Sequence, residues 1–327
     1  MYMIHQAIRL ALLASIVFIF SACQPGSNQK EYPRKPLSYL VPWSPGGMTD
    51  GTSRFMSAVL QNAIGQPVNV INRTGGGGVV GHLALAQSRP DGYTVGAVTV
   101  EITMLRHMGL TDLSYQDYTP LALLINNPAA VTVRADAPWA DVGDLVAALR
   151  QNPGTYQASG TARGGIWDLA RLGFLQAAGL KDSDMPWVPS QGAAPALQEL
   201  IAEGVDVVTA SIPEVEGLRQ AGQVKTLAIM ADERNPRYPN IPTLNELGID
   251  WSIGGWVSIC APKGLPAEVH QKLEEAVRVA ANDTSFIEAL ENAGSTRQVL
   301  FGAPLKEFMA MQDEVNGRLM SDAGIAN

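Results

Sequence analysis

Short apolar runs alternate with amphipathic segments along the chain. Residues 68–71 and 93–100 are rich in β-branched side chains and are bounded by turn-forming residues, a pattern typical of strands. The segments between such runs place apolar side chains three or four positions apart, as Leu169, Leu172 and Leu175 do, and this spacing predicts helices with one buried face. Strands that alternate with helices predict an α/β fold with mixed, mostly parallel sheets and flanking helices.

The same pattern predicts further elements over the rest of the chain. Strands are expected at residues 121–125, 131–133, 155–158, 187–188, 205–208, 224–230 and 256–261. Helices are expected at residues 79–87, 142–150 with Asp141 as the cap, 266–281 and 304–319.

The pattern of strands and helices is interrupted around residues 126–128, where the chain is expected to cross from one domain to the other. The strand at 224–230 is the natural place for the chain to cross back. We therefore predict two lobes with a hinge at these crossings. Lobe 1 would comprise residues 37–125 and 231–327, and lobe 2 residues 126–230. A chain of 327 residues that is 46% hydrophobic and 17% charged is long enough for two domains of ordinary size.

The N-terminal residues have the features of an export signal. In residues 1–22 an apolar run of 11 residues is followed by small side chains, and the run is shorter than the roughly 20 residues that span a bilayer. Cys23 then resembles the acylated cysteine of a bacterial lipobox, although Phe20 stands where Leu is usual. Residues 23–36 are expected to form a flexible tether. We expect a periplasmic protein held to a membrane by lipid; the alternative is a buried N-terminal helix with an incidental cysteine.

Charge and cysteine content limit the possible partners. The net charge is −8 and the 23 basic residues form no run, so a nucleic-acid partner is not expected. Cys260 lies in an apolar run and is expected to be a small buried hydrophobic residue. An anionic ligand would therefore need local dipoles or one or two well-placed cations.

The loop at residues 44–50 connects an apolar run to a predicted helix. Gly46 and Gly47 let a ligand approach the backbone, and Thr49 or Asp50 is suited to cap the helix. A helix start presents free N–H groups and a partial positive charge, which suits a carboxylate or phosphate. The alternative is a tight turn without a binding role.

Three more glycine-bearing loops, at residues 72–78, 159–165 and 189–193, also lie between a predicted strand and a predicted helix. Because ligands of open α/β sheets bind outside the carboxyl ends of the strands, we expect the loops to face one another across a cleft. Arg163 is expected either to pair with a ligand carboxylate or to be a solvated loop residue. Trp43 could stack on a ligand, but packing at the end of the sheet is favoured.

Several motifs in order resemble the substrate-binding proteins of tripartite tricarboxylate transporters, the Bug family. They are Pro42-Trp43-Ser44-Pro45-Gly46-Gly47 through Asp50, Gly-Gln-Pro-Val at 65–68, Asn-Arg-Thr-Gly-Gly-Gly at 72–77, Pro-Asp-Gly-Tyr-Thr at 90–94 and Gln-Gly-Ala-Ala-Pro-Ala-Leu at 191–197. The resemblance implies a two-lobed periplasmic binding protein of type II. Such a receptor closes on a small carboxylate and delivers it to a membrane permease, here as a monomer without a cofactor or metal.

In that family the first loop and a glycine loop of the second lobe hold the carboxyl end of the ligand, which here implies residues 45–50 and 159–165. This chain has Ile166 and Trp167 where a histidine often follows the second loop, and Arg163 is an unusual addition, so the identity of the carboxylate stays open. The predicted ligand-binding residues are Ser44, Pro45, Gly46, Gly47, Thr49, Asp50, Gly77, Gly78, Ser159, Thr161, Arg163, Gly164, Gly165, Gln191 and Gly192.

An NAD-dependent oxidoreductase is the alternative function. Residues 76–81 match the dinucleotide fingerprint, and Glu101 stands about where a ribose partner belongs. Residues 72–75, however, lengthen a turn that should be tight, and an exported protein meets no cytosolic NAD pool.

A hydrolase has weaker support. The four histidines form no HExxH pair, no Gly-x-Ser-x-Gly elbow is present, and no Cys/His cluster has zinc-ligand spacing. Glu214 and Glu216 lie two positions apart and are expected to be solvated. The sequence therefore predicts a binding protein without catalytic residues.

Overall fold

The computed structural model describes residues 32–322 and 324–325. The predicted signal peptide, Cys23 and the tether up to residue 31 lie outside the described residues. The described residues from Lys35 onward form one compact unit. None of the described helices combines the length and hydrophobicity that a membrane span requires.

Ten strands and nine α-helices are described. The strands are β1 (Leu37–Val41), β2 (Val68–Asn72), β3 (Thr94–Thr99), β4 (Tyr118–Arg134), β5 (Ala158–Ser159), β6 (Trp187–Val188), β7 (Val207–Ser211), β8 (Val224–Ile229), β9 (Gly254–Pro262) and β10 (Arg297–Leu300). The helices are α1 (Met48–Ile64), α2 (Val79–Ala86), α3 (Val142–Gln151), α4 (Ile166–Ala177), α5 (Ala193–Ile201), α6 (Ile212–Gln220), α7 (Ala267–Ala281), α8 (Thr284–Asn292) and α9 (Gly302–Asp322).

The sheet is mixed and follows the order β2-β1-β3-β9-β4-β7-β5-β6, with β8 and β10 also paired to β4. The pairs β1–β2, β1–β3, β5–β6 and β5–β7 are parallel. Every antiparallel pair involves β4 or β9, the two long strands. The predicted α/β architecture with a mixed sheet and flanking helices is confirmed, and these long strands give it a larger antiparallel share than the βαβ pattern predicted.

Strand β4 connects two parts of the sheet. Residues 118–128 pair with β9, whereas residues 129–134 pair with β7 and β8. The strand break predicted at residues 126–128 is therefore wrong: Pro128 lies where β4 changes partners, and its ring removes a donor while leaving the chain extended. The two-lobe division and the hinge stay predictions.

Local sequence accounts for several element boundaries. The Asp141 side chain accepts the Asp144 N–H (3.0 Å) and caps α3, as predicted. Helix α1 ends at Gly65, whose φ of 74° is left-handed. Cys260 is buried in β9, as predicted, and no disulfide is formed within the described part of the chain.

Candidate ligand-binding site

The four glycine loops meet at the carboxyl ends of β1, β2, β5 and β6. The Ser44 N–H donates to the Gln191 carbonyl (3.4 Å), and the Ser190 N–H donates to the Thr161 carbonyl (2.9 Å). A Cβ added to Gly77 would lie 3.2 Å from the Ala162 Cβ. The convergence that the sequence predicted is therefore present in the fold.

A small cavity lies where these loops meet. Five of the predicted site residues line it: Ser44, Gly47, Thr49, Thr161 and Gly192. The other lining residues are Trp43, Met48, Thr99, Val100, Glu101, Ile166, Trp167, Ala193, Glu214 and Trp256. The predicted residues outside the lining are Pro45, Gly46, Asp50, Gly77, Gly78, Ser159, Arg163, Gly164, Gly165 and Gln191.

Asp50 shapes the first loop from behind the cavity. Its carboxylate accepts hydrogen bonds from the Gly46 N–H (3.0 Å), the Asn72 side chain (2.9 Å) and Arg54 (2.9 Å). Burial alone would raise the pKa of Asp50, but these donors hold it below its usual value. The cap predicted at Thr49 or Asp50 is wrong, since Gly47 is the N-cap and Asp50 lies in the first turn of α1.

The second loop is built on backbone conformations that favour glycine. Gly75, Gly76, Gly77 and Gly78 all have positive φ, from 58° to 128°. At Gly81 an added Cβ would lie 2.5 Å from the Pro42 Cα, so α2 packs directly on the chain after β1. Backbone angle and helix packing thus account for the glycines of the apparent dinucleotide fingerprint.

His82 lies beneath this loop and is fully buried. One ring nitrogen, Nδ1, is 2.8 Å from the Gly78 carbonyl, and Nε2 accepts the Thr99 N–H (3.2 Å). Burial lowers the pKa of His82 to about 4, so the ring is neutral at neutral pH. It supplies no positive charge to the cavity.

Two polar atoms of the lining residues lack partners. Within the described residues neither Thr161 Oγ1 nor Trp256 Nε1 has a hydrogen-bond partner, and both side chains are buried. A Cβ added to Gly165 would lie 2.6 Å from Thr161 Oγ1, so glycine at 165 leaves the space that the hydroxyl occupies. Because buried donors are seldom left unpaired and these two belong to residues that line the cavity, we treat them as candidate ligand contacts.

Arg163 lies in the third loop, but its guanidinium is used within the protein. Nη2 donates to Asp182 (2.7 Å), and Nε lies 3.4 Å from Asp168 Oδ2. Its side chain is 46% exposed and is not part of the lining. We therefore leave Arg163 out of the proposed ligand site.

Glu101 and Glu214 line the cavity instead. The expectation that Glu214 and Glu216 are solvated is wrong. Glu216 is buried and pairs with Arg219 (2.7 Å). Glu214 is partly buried in the cavity wall; burial, with a contribution from the negative charge of Glu101, raises its pKa to about 7. Burial also raises the pKa of Glu101, which is 2% exposed.

The two glutamates cap helices that begin across the cavity. The Met48 N–H at the start of α1 donates to Glu214 Oε1 (3.3 Å), although Glu214 follows β7. The Ile166 N–H at the start of α4 hydrogen-bonds the Glu101 carboxylate, although Glu101 follows β3. The helix starts that were predicted to receive a ligand anion therefore face carboxylates of the protein itself.

A sequence signal existed for Glu214 but not for every missed residue. Ser211-Ile212-Pro213-Glu214 has the spacing of a capping box, and at the start of α6 the Ser211 N–H (3.0 Å) and the Ser211 hydroxyl (2.9 Å) both donate to Glu214 Oε2. That pattern places the glutamate directly after a strand, at the edge of the sheet where the loops meet. Trp256 lies inside β9, where no local pattern marks a binding residue.

The chain matches the family described as the tripartite tricarboxylate transporter family receptor over residues 52–325. It is similar to the protein BugT of Bordetella pertussis, with 28% identity over 291 residues and 87% of each chain covered. Across the residues that are described, no group of three or more His, Cys, Asp or Glu side chains is arranged to hold a metal ion.

Two solved structures are similar over nearly the whole fold. R. palustris Rpa4515 with adipate has a TM-score of 0.84 and 25% identity, with 90% of this chain and 99% of the other covered. MatC from Rhodopseudomonas palustris with bound malate has a TM-score of 0.76 and 25% identity, with 89% and 98% covered. Since the family match spans most of the chain, the chain belongs to the tripartite tricarboxylate transporter receptor family, as its loop motifs predicted.

Proposed function

We propose that the chain is a non-enzymatic periplasmic receptor that binds a small organic carboxylate in the cavity and delivers it to a membrane permease of the tripartite tricarboxylate type. The observation that carries the proposal is the pair of unpartnered donors, Thr161 Oγ1 and Trp256 Nε1, in a cavity formed by converging glycine loops. The malate and adipate bound to two similar proteins support a carboxylate as the ligand class.

Ser44, Gly47, Thr49, Thr161 and Gly192 are the predicted residues that we retain as ligand contacts, because all of them line the cavity. We further propose that the two parts of the sheet move about the crossings at β4 and β8 and close on the ligand. Attachment to a membrane through acylated Cys23 and action as a monomer are parts of the same proposal.

A binding screen on the soluble chain that starts after Cys23 tests the proposal. Small mono-, di- and tricarboxylates are added one at a time, and the thermal unfolding midpoint is measured, followed by calorimetry for each acid that raises it. An acid present at 100 times its Kd would add about 2.7 kcal/mol to the free energy of unfolding. If no acid shifts the midpoint at millimolar concentration, the proposal is wrong.

Thr161→Val locates the bound acid. The substitution keeps the shape but removes the hydroxyl, and we expect binding to weaken by about 1.5–3 kcal/mol because the lost hydrogen bond is to a charged group. Thr119→Val is the matched control, because the Thr119 hydroxyl donates to the Pro262 carbonyl and its residue does not line the cavity. Equal affinities of the two variants would place the ligand elsewhere.

A further inference from the structure

The cavity has an unusual charge for a carboxylate site. Its lining, all of it within the described residues, includes Glu101 and Glu214 but no Lys, Arg or His. A plain dicarboxylate would bring two more negative charges into a site that already holds two carboxylates, and like charges at close range disfavour one another.

The helix starts offset only part of this negative charge. The N-termini of α1 and α4 each contribute about half a positive charge. Their N–H groups at Met48 and Ile166 already hydrogen-bond the two glutamates. Buried His82 adds nothing, since its ring is neutral at neutral pH. When both glutamates are ionised, about one negative charge therefore remains without a partner in the protein.

Other groups in the cavity suit the two ends of a zwitterion. Thr161 Oγ1 and Trp256 Nε1 are buried, lack partners among the described residues and can donate to a carboxylate. Trp43, Trp167 and Trp256 all contribute to the lining, and indole rings attract cations that lie over their faces within about 6 Å. Donors for an anion thus lie in the same cavity as carboxylates and aromatic rings suited to a cation.

We propose that the ligand is a carboxylate that also carries an ammonium group, and that Glu101 and Glu214 are the specificity-determining residues that bind the ammonium. This inference rests on the proposed function and narrows its ligand class. Glu214 already accepts hydrogen bonds from Met48 and Ser211, and Glu101 accepts one from the Thr99 hydroxyl. An ammonium would donate to the lone pairs that these bonds leave and would cancel the charge that the helix starts leave unbalanced.

Matched pairs of acids test the inference. In each pair the skeleton is the same and only the ammonium group differs: succinate with aspartate, and glutarate with glutamate. Calorimetry at pH 8 with the soluble chain gives the affinity ratio within each pair. We expect at least about a tenfold preference for the ammonium member of the pair that fits the cavity, since a hydrogen-bonded charge pair is being added.

Glu214→Gln and Glu101→Gln assign the preference to the cavity. Each variant should reduce the ratio within the preferred pair at least about fivefold, while binding of the partner acid without nitrogen stays the same or becomes tighter. Glu233→Gln is the control, because Glu233 is exposed and is not part of the lining. Circular dichroism checks that each variant is folded. The affinity ratio within each pair of acids is measured on the unmodified chain, so that part of the test does not depend on whether a variant folds.

The possible outcomes separate the two proposals. Acids that bind without any preference for the ammonium member would overturn the inference and leave the receptor proposal standing. A preference that both glutamine variants retain would overturn the role of the two glutamates. Binding of none of these acids or of the wider carboxylate screen would overturn the receptor proposal and the inference together.

Discussion

Two clusters of partly or fully buried charge are organised in opposite ways. The arginine cluster, behind the third glycine loop, consists of Arg163, Asp168, Arg171 and Asp182, and its charges balance. Arg171 lies 2.7 Å from Asp168 and 2.5 Å from Asp182, and both Arg171 and Asp168 are 0% exposed. The cavity carboxylates, Glu101 and Glu214, have no cationic side chain beside them in the described lining.

If the proposed ligand site is correct, the difference separates charges that stabilise the fold from charges that select a ligand. In the arginine cluster the hydrogen bond from Arg163 holds the pKa of Asp182 below its usual value. In the cavity, burial raises the pKa of both glutamates. A carboxylate with a lowered pKa, such as Asp182, has its counterion in the protein, whereas a buried carboxylate with a raised pKa lacks one.

Asp168→Ala should give the largest effect, because it leaves the fully buried Arg171 with one carboxylate fewer. We expect the free energy of unfolding to fall by about 3–5 kcal/mol, as measured by urea denaturation followed by circular dichroism. Asp182→Ala is the matched comparison and should cost less, since the Asp182 side chain is 48% exposed. An equal or larger loss of stability for Asp182→Ala would mean that burial does not determine how much each carboxylate of this cluster contributes to the free energy of unfolding.

Glu214→Gln should change the pH dependence of stability. The native state holds the Glu214 proton more tightly than the unfolded chain, since the pKa is raised from 4.5 to about 7. The stabilisation from that proton is complete below pH 4.5 and is lost as the pH rises through 7. Glutamine cannot lose a proton, so the stability of the variant relative to the unmodified chain should rise between pH 5 and pH 8, by no more than about 3 kcal/mol.

Urea denaturation at several pH values measures this difference. His82 titrates in both chains and cancels from the comparison. A difference for Glu214→Gln that is constant from pH 5 to pH 8 would show that Glu214 keeps an ordinary pKa. The contrast between the two charge clusters would then lose its electrostatic basis.

Most of the fold could be predicted from local pattern. The alternation of apolar runs and amphipathic segments located most of the helices and strands because each element buries one face or one run of side chains, although α8 and β10 were not predicted. The continuity of β4 through Pro128 could not be predicted, since it depends on which strands lie beside it. Pairing partners far apart in sequence are a property of topology that residue spacing does not carry.

The convergence of the glycine loops could be predicted from the sequence, whereas the pairing of the charged side chains could not. The glycine loops between strands and helices meet as predicted because the carboxyl ends of parallel strands share one edge. The pairing of the charged side chains could not be predicted, because a pairing partner decides what a charge does and the partner is distant in sequence. Glu214 meets Met48 from another part of the chain, and Arg163 meets Asp182.

Gly165→Ala should disturb the cavity without touching a charge. The new methyl group would lie 2.6 Å from Thr161 Oγ1, so the hydroxyl must move, and overpacking of this kind costs about 1–3 kcal/mol. We expect that loss to appear mainly in the affinity for the acid identified in the screen, as measured by calorimetry. Gly217→Ala in α6 is the control, because its added methyl group meets nothing within 4 Å; it should stabilise the helix by about 0.5–1 kcal/mol and leave affinity unchanged.

Arg163→Ala should have the smallest effect and is the sharpest test of the contrast between the two clusters. If Arg163 formed a desolvated pair with the ligand carboxylate, as the sequence alone allowed, the substitution would weaken binding by about 1.5–3 kcal/mol. In the structure the guanidinium is about half exposed and already pairs with Asp182 and Asp168. Because exposed ion pairs contribute about 0–1 kcal/mol, we expect a small loss of stability and a Kd within about twofold of the unmodified chain.

Calorimetry with the acid from the screen measures the Kd, and Arg134→Ala is the matched control because Arg134 forms a comparable ion pair with Asp136 (3.0 Å). A loss of affinity of about tenfold or more in a folded Arg163→Ala chain would be the signature of a charged hydrogen bond to the ligand. The arginine would then leave its cluster to reach the bound acid, and charge balance in the unliganded fold would not distinguish residues that hold the structure from residues that select the ligand.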